Sequence, residues 1–396
     1  MKMIFAPDSF KGSLSSLRVI EILKEAAYKV FPDLEIVGVP IADGGEGTME
    51  AMVSFLKGKY KEVRVKDTLG NEIKATYGIL NDDSIIIEMA SASGLTLIPM
   101  EKRNPLYTTT YGTGQMIKDA LDEGFSKITI AIGGSGTNDG GIGAMTALGV
   151  KFLDKHGKVV EPIGKSLVEI ADIDISGIHP RISQTEFTVM CDVTNPLLGP
   201  NGATYVYGPQ KGANKKELDF LELGMKNYAR VIEKKYYVEI SNQSGAGAAG
   251  GLGAALMFFV NAKLKSGIST MLEKINFDNL LENTCCVITG EGMLDWQSAK
   301  GKVISGIGLA CKKKGVPVIA IVGGMGKGAV EIYQCGVDSI MPAINAVMGL
   351  DEAMGNADEL LLNAAERTFR MLKVGMEINN SERKLRNNSY VIKNGG

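Results

Sequence analysis

Lys2-Met3-Ile4-Phe5-Ala6-Pro7-Asp8-Ser9-Phe10-Lys11-Gly12-Ser13 is an apolar run that breaks into a polar, glycine-bearing turn. Lys2 to Ala6 reads as a buried strand. The turn leads into a helix from about Ser15 to Val30, where Leu17, Ile20, Leu23, Ala27 and Val30 keep helical spacing. The pattern then repeats. A strand, Glu35 to Ile41, enters a second glycine turn, Ala42-Asp43-Gly44-Gly45-Glu46-Gly47-Thr48, and a helix from Thr48 to Leu56. Such alternation predicts a mostly parallel sheet covered on both faces, since parallel neighbours need a crossover connection.

The same alternation returns near the C-terminus. Cys286 to Thr289 reads as a strand before a glycine loop, Val303 to Lys314 as a helix stopped by Gly315 and Pro317, and Pro317 to Val322 as a strand. A helix around Ala329 to Gln334, a strand Ser339 to Pro342 and a long helix from about Asp351 to Leu372 follow. Neither terminal block alone has enough strands for a covered sheet. At 396 residues the chain also exceeds the roughly 250 to 300 residues that one core supports. The expected fold is therefore α/β with two α/β domains. One is Rossmann-like, its mostly parallel sheet built from both chain ends, residues 1–60 and 283–380. The other is an inserted mixed α/β domain, residues 61–282, with the active site expected in the cleft between them. The insert opens as an antiparallel meander, with Val63 to Val65 and Ala75 to Leu80 around the turn Leu69-Gly70-Asn71, then Ser84 to Glu88. A helix from Gly114 to Leu121 and a strand from Lys127 to Ile132 follow. Residues 381–396 form a polar tail expected to fray.

Composition narrows the function classes. Basic and acidic residues number 43 and 45, a net charge of −2, so no broad basic surface is available for nucleic acid. Five cysteines without CxxC spacing argue against a disulfide framework or a thiolate metal site, and fit a reducing cytoplasm. The start of the chain turns polar too soon for a signal peptide. Ser241 to Ala262 is uncharged, but its many glycines and its polar opening predict a buried helix rather than a membrane span.

Chemistry is expected in the glycine loops that follow predicted strands, the edge where open α/β sheets bind ligands. Gly133-Gly134-Ser135-Gly136-Thr137-Asn138-Asp139-Gly140-Gly141 follows a strand and enters a helix, an arrangement whose amides suit phosphate. No loop has the spacing of a P-loop. Gly245-Ala246-Gly247-Ala248-Ala249-Gly250 spells GxGxxG, but no acid stands about twenty residues downstream, which counts against a nicotinamide-dependent dehydrogenase. Close packing through small residues is its competing reading. Phosphoryl transfer needs cations, metal-holding carboxylates and a base or positioner for the attacking hydroxyl. Asp8 and Lys11 share one loop, Asp43 and Glu46 another, and Asp139 lies in a third. Asp192 and Asn195 follow the strand Phe187 to Cys191, Lys211 lies in a glycine turn, and Glu291 and Asp295 in Gly290-Glu291-Gly292-Met293-Leu294-Asp295. Any single acid here reads equally as a turn former or helix cap, but independent caps have no reason to gather at strand ends. His156 and His179 look like loop residues, and Gly-x-Ser-x-Gly is absent, which argues against a serine hydrolase.

Taken together, these segments resemble the bacterial type-1 glycerate kinase family. The resemblance rests on Ala6 to Ser13, Ala42 to Thr48, Gly133 to Gly141, Cys191-Asp192-Val193-Thr194-Asn195-Pro196-Leu197, Gln210-Lys211-Gly212-Ala213, Gly245 to Gly251 and Thr289-Gly290-Glu291-Gly292, with Leu294-Asp295, Gln297-Ser298 and Gly301-Lys302. They run in the family's order through about residue 370. Gly136 departs from the family's usual alanine. The resemblance implies phosphorylation of D-glycerate by ATP with Mg2+, 2-phosphoglycerate being the usual product. The nearest alternatives are 3-phosphoglycerate as product or a related small hydroxy acid as acceptor. No nucleic-acid or membrane partner is implied, and a homodimer stays open. On this reading Lys11 and Lys211 offset negative charge, Asp43 or Asp192 receives or orients the hydroxyl proton, and Asp139, Glu291 and Asp295 are the metal-side carboxylates. Asp8, Ser9, Glu46 and Asn195 fall to substrate. The loop Gly133, Gly134, Ser135, Gly136, Thr137 and Asn138, with Gly245, Gly247 and Gly250, falls to the phosphates of ATP.

Overall fold

The computed structural model describes residues 1–299 and 301–393, with side chains as far as residue 381. In chain order its strands are β1 (Lys2–Phe5), β2 (Glu35–Gly38), β3 (Lys59–Lys66), β4 (Glu72–Ile79), β5 (Ser84–Glu88), β6 (Lys127–Ala131), β7 (Lys151–Leu153) and β8 (Asp172–Asp174). They continue with β9 (Glu186–Met190), β10 (Lys263–Lys265), β11 (Cys286–Thr289), β12 (Met293–Leu294), β13 (Val318–Val322), β14 (Gly324–Met325) and β15 (Ser339–Pro342). The chain divides into two compact units, Met1–Ile41 with Asn276–Gly396, and Ala42–Ile275.

The first unit holds a five-stranded sheet in the order β15-β13-β11-β1-β2, every pair parallel. β11 and β13 are buried along their whole length, as continuous apolar runs must be when both faces are covered. The helix Ser16–Val30 starts where the Ser15 side chain accepts from Arg18 N at 3.2 Å. It packs on the helix Ala357–Lys393, placing Val19, Leu23 and Ala27 in one core with Leu361, Ala365 and Phe369. Phe369 also meets Phe5 on β1, ring centroids 5.7 Å apart.

The second unit holds a six-stranded sheet in the order β10-β9-β6-β5-β4-β3. β3, β4 and β5 form the predicted antiparallel meander, and β5, β6, β9 and β10 run parallel. The fold class is thus α/β, with a parallel sheet from both chain ends and a separate mixed sheet.

Several boundaries differ from those expected. Residues 42–60 pack with the second unit, because the helix Thr48–Leu56 lies on β4 and β5. Met49 N donates to Glu88 Oε1 at 2.7 Å, and a Cβ at Gly78 would lie 2.4 Å from Val53 Cγ2, so only glycine admits that helix. At the other boundary, Lys2 Nζ donates to Leu280 O at 2.7 Å and draws residues 276–282 to the first unit. The long helix expected from Asp351 is broken at Asn356 into Leu350–Gly355 and Ala357–Lys393. That second helix runs on past Leu372 into the stretch expected to fray, and residues 394–396 of the tail lie outside the described residues. Only Leu252–Phe259 of the uncharged stretch is α-helical, and among the described residues no helix is long and apolar enough to cross a membrane.

Candidate active site

Parallel strands point their carboxyl ends the same way, so the loops after them gather at one edge of each sheet. In the first unit these are the loops after β1, β11 and β13. Asp8 N donates to Gly290 O at 2.8 Å, and Gly323 N to Glu291 O at 3.0 Å, which ties all three together. Asp8 is 6% exposed and Glu291 8% exposed. Burial pushes the Glu291 carboxyl up to about 7, against a hydrogen bond with Ser298, while Asp8 adds to the push and Lys302 opposes it. Glu291 Oε1 is buried with no hydrogen-bond partner. A carboxylate oxygen left in that state beside another acid is suited to a cation. Ser9 N donates back to Asp8 Oδ1 at 2.7 Å, and Asp295 Oδ1 accepts from Gln297 N at 2.8 Å, so Asp295 shapes its own turn. Lys11 is exposed on the loop after β1.

In the second unit the corresponding edge collects the loops after β6, β9 and β10, together with Ala42 to Thr48. Asp192 Oδ1 accepts from Gly267 N at 3.0 Å. A Cβ at that same Gly267 would lie 2.0 Å from Asp43 O, so the two acids share one glycine as their neighbour. Gly133 N donates to Gly44 O at 3.3 Å and brings the third loop alongside. Lys211, 1% exposed, reaches into that loop from below: its Nζ donates to Ser135 Oγ at 2.8 Å and to Thr137 O at 2.6 Å. Burial pushes the Lys211 ammonium down to about 7, with Asp139 opposing. Glu46 is exposed in its turn.

Three groups of the expected site residues are already engaged within the protein. Asp139, expected on the metal side, is fully buried and already accepts from Thr110 N and Oγ1, both at 2.7 Å, from Gly141 N at 3.1 Å and from Gly143 N at 3.2 Å. Its carboxylate is the knot that holds the loop. Gly245, Gly247 and Gly250, expected on phosphate, face protein instead: added Cβ atoms would lie 2.5 Å from Leu264, 2.2 Å from Pro196 O and 2.1 Å from Thr137 O. Gly247 N is also used, donating to Asn195 O at 3.0 Å, the close backbone approach that packing through small residues requires. Asn195, expected on substrate, spends its amide on Asn201 O at 2.8 Å and on the Tyr207 hydroxyl at 2.7 Å. Among the described residues no three of His, Cys, Asp and Glu converge closely enough to hold an ion by themselves.

Two contributors were not singled out from the sequence. Glu88 ends β5 at 9% exposure and holds Met49 N, and burial pushes its carboxyl up. Its signal was an acid closing the apolar run Ile85-Ile86-Ile87. Thr110 shares Asp139 with the loop and also accepts from Ala144 N at 2.9 Å. The run Thr108-Thr109-Thr110 carried no recognisable spacing.

Charged glycine loops gathered at the carboxyl ends of parallel strands are the layout of an α/β enzyme that handles a small anionic ligand. Residues 3–373 match the model of the glycerate kinase family. The chain is 46% identical over 367 residues to a glycerate kinase of Halalkalibacterium halodurans, covering 92% of this chain and 96% of that one. It is 44% identical over 377 residues to the glycerate 2-kinase of Escherichia coli, covering 95% and 99%. A crystal structure assigned as a glycerate kinase 2 of Salmonella typhimurium LT2 superposes with a TM-score of 0.86 at 41% identity, covering 95% of this chain and 99% of that one. The chain belongs to the glycerate kinase family.

Proposed function

We propose that the protein is a glycerate kinase that transfers the γ-phosphoryl group of ATP to the 2-hydroxyl of D-glycerate, releasing ADP and 2-phosphoglycerate. The observation that carries this reading is the near full-length likeness to the Escherichia coli glycerate 2-kinase, 44% identical over 95% of the chain. The site chemistry agrees with it. The hydroxyl oxygen forms the new bond to phosphorus as the bond from phosphorus to the ADP oxygen breaks, and the hydroxyl proton goes to Asp43 or Asp192, the acids that share Gly267. Lys11 offsets phosphate charge. Lys211 acts by fixing Ser135 and Thr137, and through them the loop that presents Gly133 and Gly134.

The residues present fit Mg2+ at Glu291, whose orphaned oxygen stands beside Asp8. Mg2+ is commonly held by one or two carboxylates plus substrate phosphates, so a third acid is not required. Bound there, the ion would neutralise charge on the phosphates during transfer. Five free cysteines suit a reducing cytoplasm as the working compartment.

The test is ATP-coupled turnover with D-glycerate, with the product examined by phosphorus NMR. A glycerate-dependent release of ADP and a phosphorus signal coupled to the C2 proton are expected. No ADP release would end the kinase reading, and coupling to the C3 protons would move the reaction to the other hydroxyl.

A further inference from the structure

Two cationic side chains of the second unit pack on one glycine loop, and neither has a counter-charge. Lys211 is 1% exposed, ends on Ser135 Oγ and Thr137 O, and forms no ion pair among the described residues. Asp139, the acid whose charge acts on it, already accepts four hydrogen bonds from Thr110, Gly141 and Gly143. A buried ammonium left in this state is costly, and its positive charge stands open to an anion.

Arg103 is the second cation. It is half-buried after the short helical turn Met100–Lys102, and its Nε donates to Ile98 O at 3.3 Å. Its terminal nitrogens meet no acceptor among the described residues. The segment is pressed onto the Lys211 turn, since a Cβ at Gly212, φ 97°, would lie 2.2 Å from Arg103 O and 2.9 Å from Arg103 Cβ. Ile98, which holds the guanidinium, touches the loop: a Cβ at Gly136 would lie 2.9 Å from Ile98 Cδ1. Adjoining acids do not offset the charge. Glu217 takes Asn104 Nδ2 at 2.8 Å and Asn214 N at 2.7 Å, and the exposed Glu101 forms no ion pair among the described residues. Like charges brought onto one loop repel, and an anion between them removes that cost.

The loop supplies donors as well. An ammonium only donates, so Ser135 Oγ accepts from Lys211 and its own hydroxyl hydrogen points elsewhere. That hydrogen, and the N–H groups of Gly134 and Ser135, meet no acceptor among the described residues, and Gly134 is exposed.

We propose that Arg103 and Ser135, with Lys211 behind Ser135, form the site for an oxyanion of the substrates, supplied by the carboxylate of glycerate or by a phosphate of ATP. Arg103 meets the anion with its planar fork, and Ser135 donates its hydroxyl. Lys211 aims that hydroxyl and is a positioning residue. The inference rests on the kinase reading for the identity of the ligand, and adds Arg103 to the binding machinery.

Arg103→Met, Arg103→Lys and Ser135→Ala are compared with the wild-type full-length protein by steady-state kinetics with each substrate varied in turn, by calorimetry with D-glycerate and with ATP added singly, and by thermal melting. For one ligand, KM and Kd should rise about tenfold or more in Arg103→Met and roughly three- to tenfold in Ser135→Ala, while the other ligand and the melting temperature move little. Arg103→Lys, which keeps charge without the fork, should fall between wild type and Arg103→Met. A rise confined to D-glycerate assigns the site to the carboxylate, and one confined to ATP assigns it to phosphate. Values within about twofold of wild type for both ligands in Arg103→Met and Ser135→Ala, at normal turnover, would overturn the site and leave the kinase reading intact. Effects of the two variants on different ligands would also overturn it. If Arg103→Met does not fold, Arg103→Lys decides by the same comparison. Absence of glycerate turnover in the wild type, with ATP binding weakened in the Arg103 variants, would strike the kinase reading and spare the anion site.

Discussion

Glu291 and Asp139 are both buried carboxylates in glycine loops that follow parallel strands, yet their surroundings are opposite. Asp139 accepts four hydrogen bonds from its own and a neighbouring loop. Glu291 keeps one buried oxygen without a partner and stands beside Asp8. An acid whose bonds are all made within the protein has been used for architecture. One left incomplete at an enzyme's strand ends is the candidate for holding a ligand.

Asp139→Ala is expected to show the largest effect, because it strands four donors in a dry site. A stability loss of about 3–5 kcal/mol should appear in urea denaturation. Near-normal stability would mean the loop is held by other contacts and would erase the contrast with Glu291. Glu291→Gln comes next. It should lower kcat/KM by roughly 10²–10³-fold, the scale seen when one charge-stabilising group is lost, while the melting temperature holds or rises. Full activity in that variant would break the comparison from the other side.

The pH dependence of stability sharpens it. Unfolded Glu291 releases its proton near 4.5 and the native group near about 7, so between those values the native state binds the extra proton. Stability contributed by this group therefore falls as pH rises through that window, and Glu291→Gln should remove the fall. Lys211 has the reverse sign. Its native form loses a proton near about 7 and the unfolded form near 10.5, so stability should rise across that interval, a slope that Lys211→Met should abolish. Melting temperatures of wild type and variants measured across pH test both. The smallest effect is expected from Gly134→Ala. Gly134 is exposed at φ 73° with Ala90 Cβ 3.4 Å away from an added Cβ, so only the left-handed backbone resists, costing about 1 kcal/mol.

The fold was legible where apolar runs sit between glycine turns. Ser84–Glu88, Cys286–Thr289, Val303–Lys314 and Ser339–Pro342 fall where periodicity and breakers placed them, because an apolar run bounded by glycine, proline or a polar turn has few alternatives. Family membership was legible for a related reason, since ordered loop motifs at strand ends constrain chemistry and topology together. The allocation of residues 42–60 was not, because it depends on Val53 finding a glycine at position 78 on another strand. The roles of Asp139, Asn195 and Gly245 to Gly250 were hidden likewise. Residue type says that an Asp can bind metal or cap a turn, and a glycine can cradle an anion or admit a neighbour. Which occurs is decided by partners distant along the chain, as when Thr110 claims Asp139 and Thr137 O fills the space above Gly250.

β1 lies between β2 and β11 in the first sheet, and its partner Cys286–Thr289 is encoded more than two hundred residues later. On a ribosome adding about 5–20 residues per second, the opening strand waits roughly 15 to 60 seconds for that partner, long enough for the intervening segment to finish folding first. During that interval Met3, Ile4 and Phe5 have one flank of hydrogen-bonding groups unclaimed. The nascent chain is then most exposed to wrong pairing, and a chaperone that shields an amino-terminal apolar strand would serve it best.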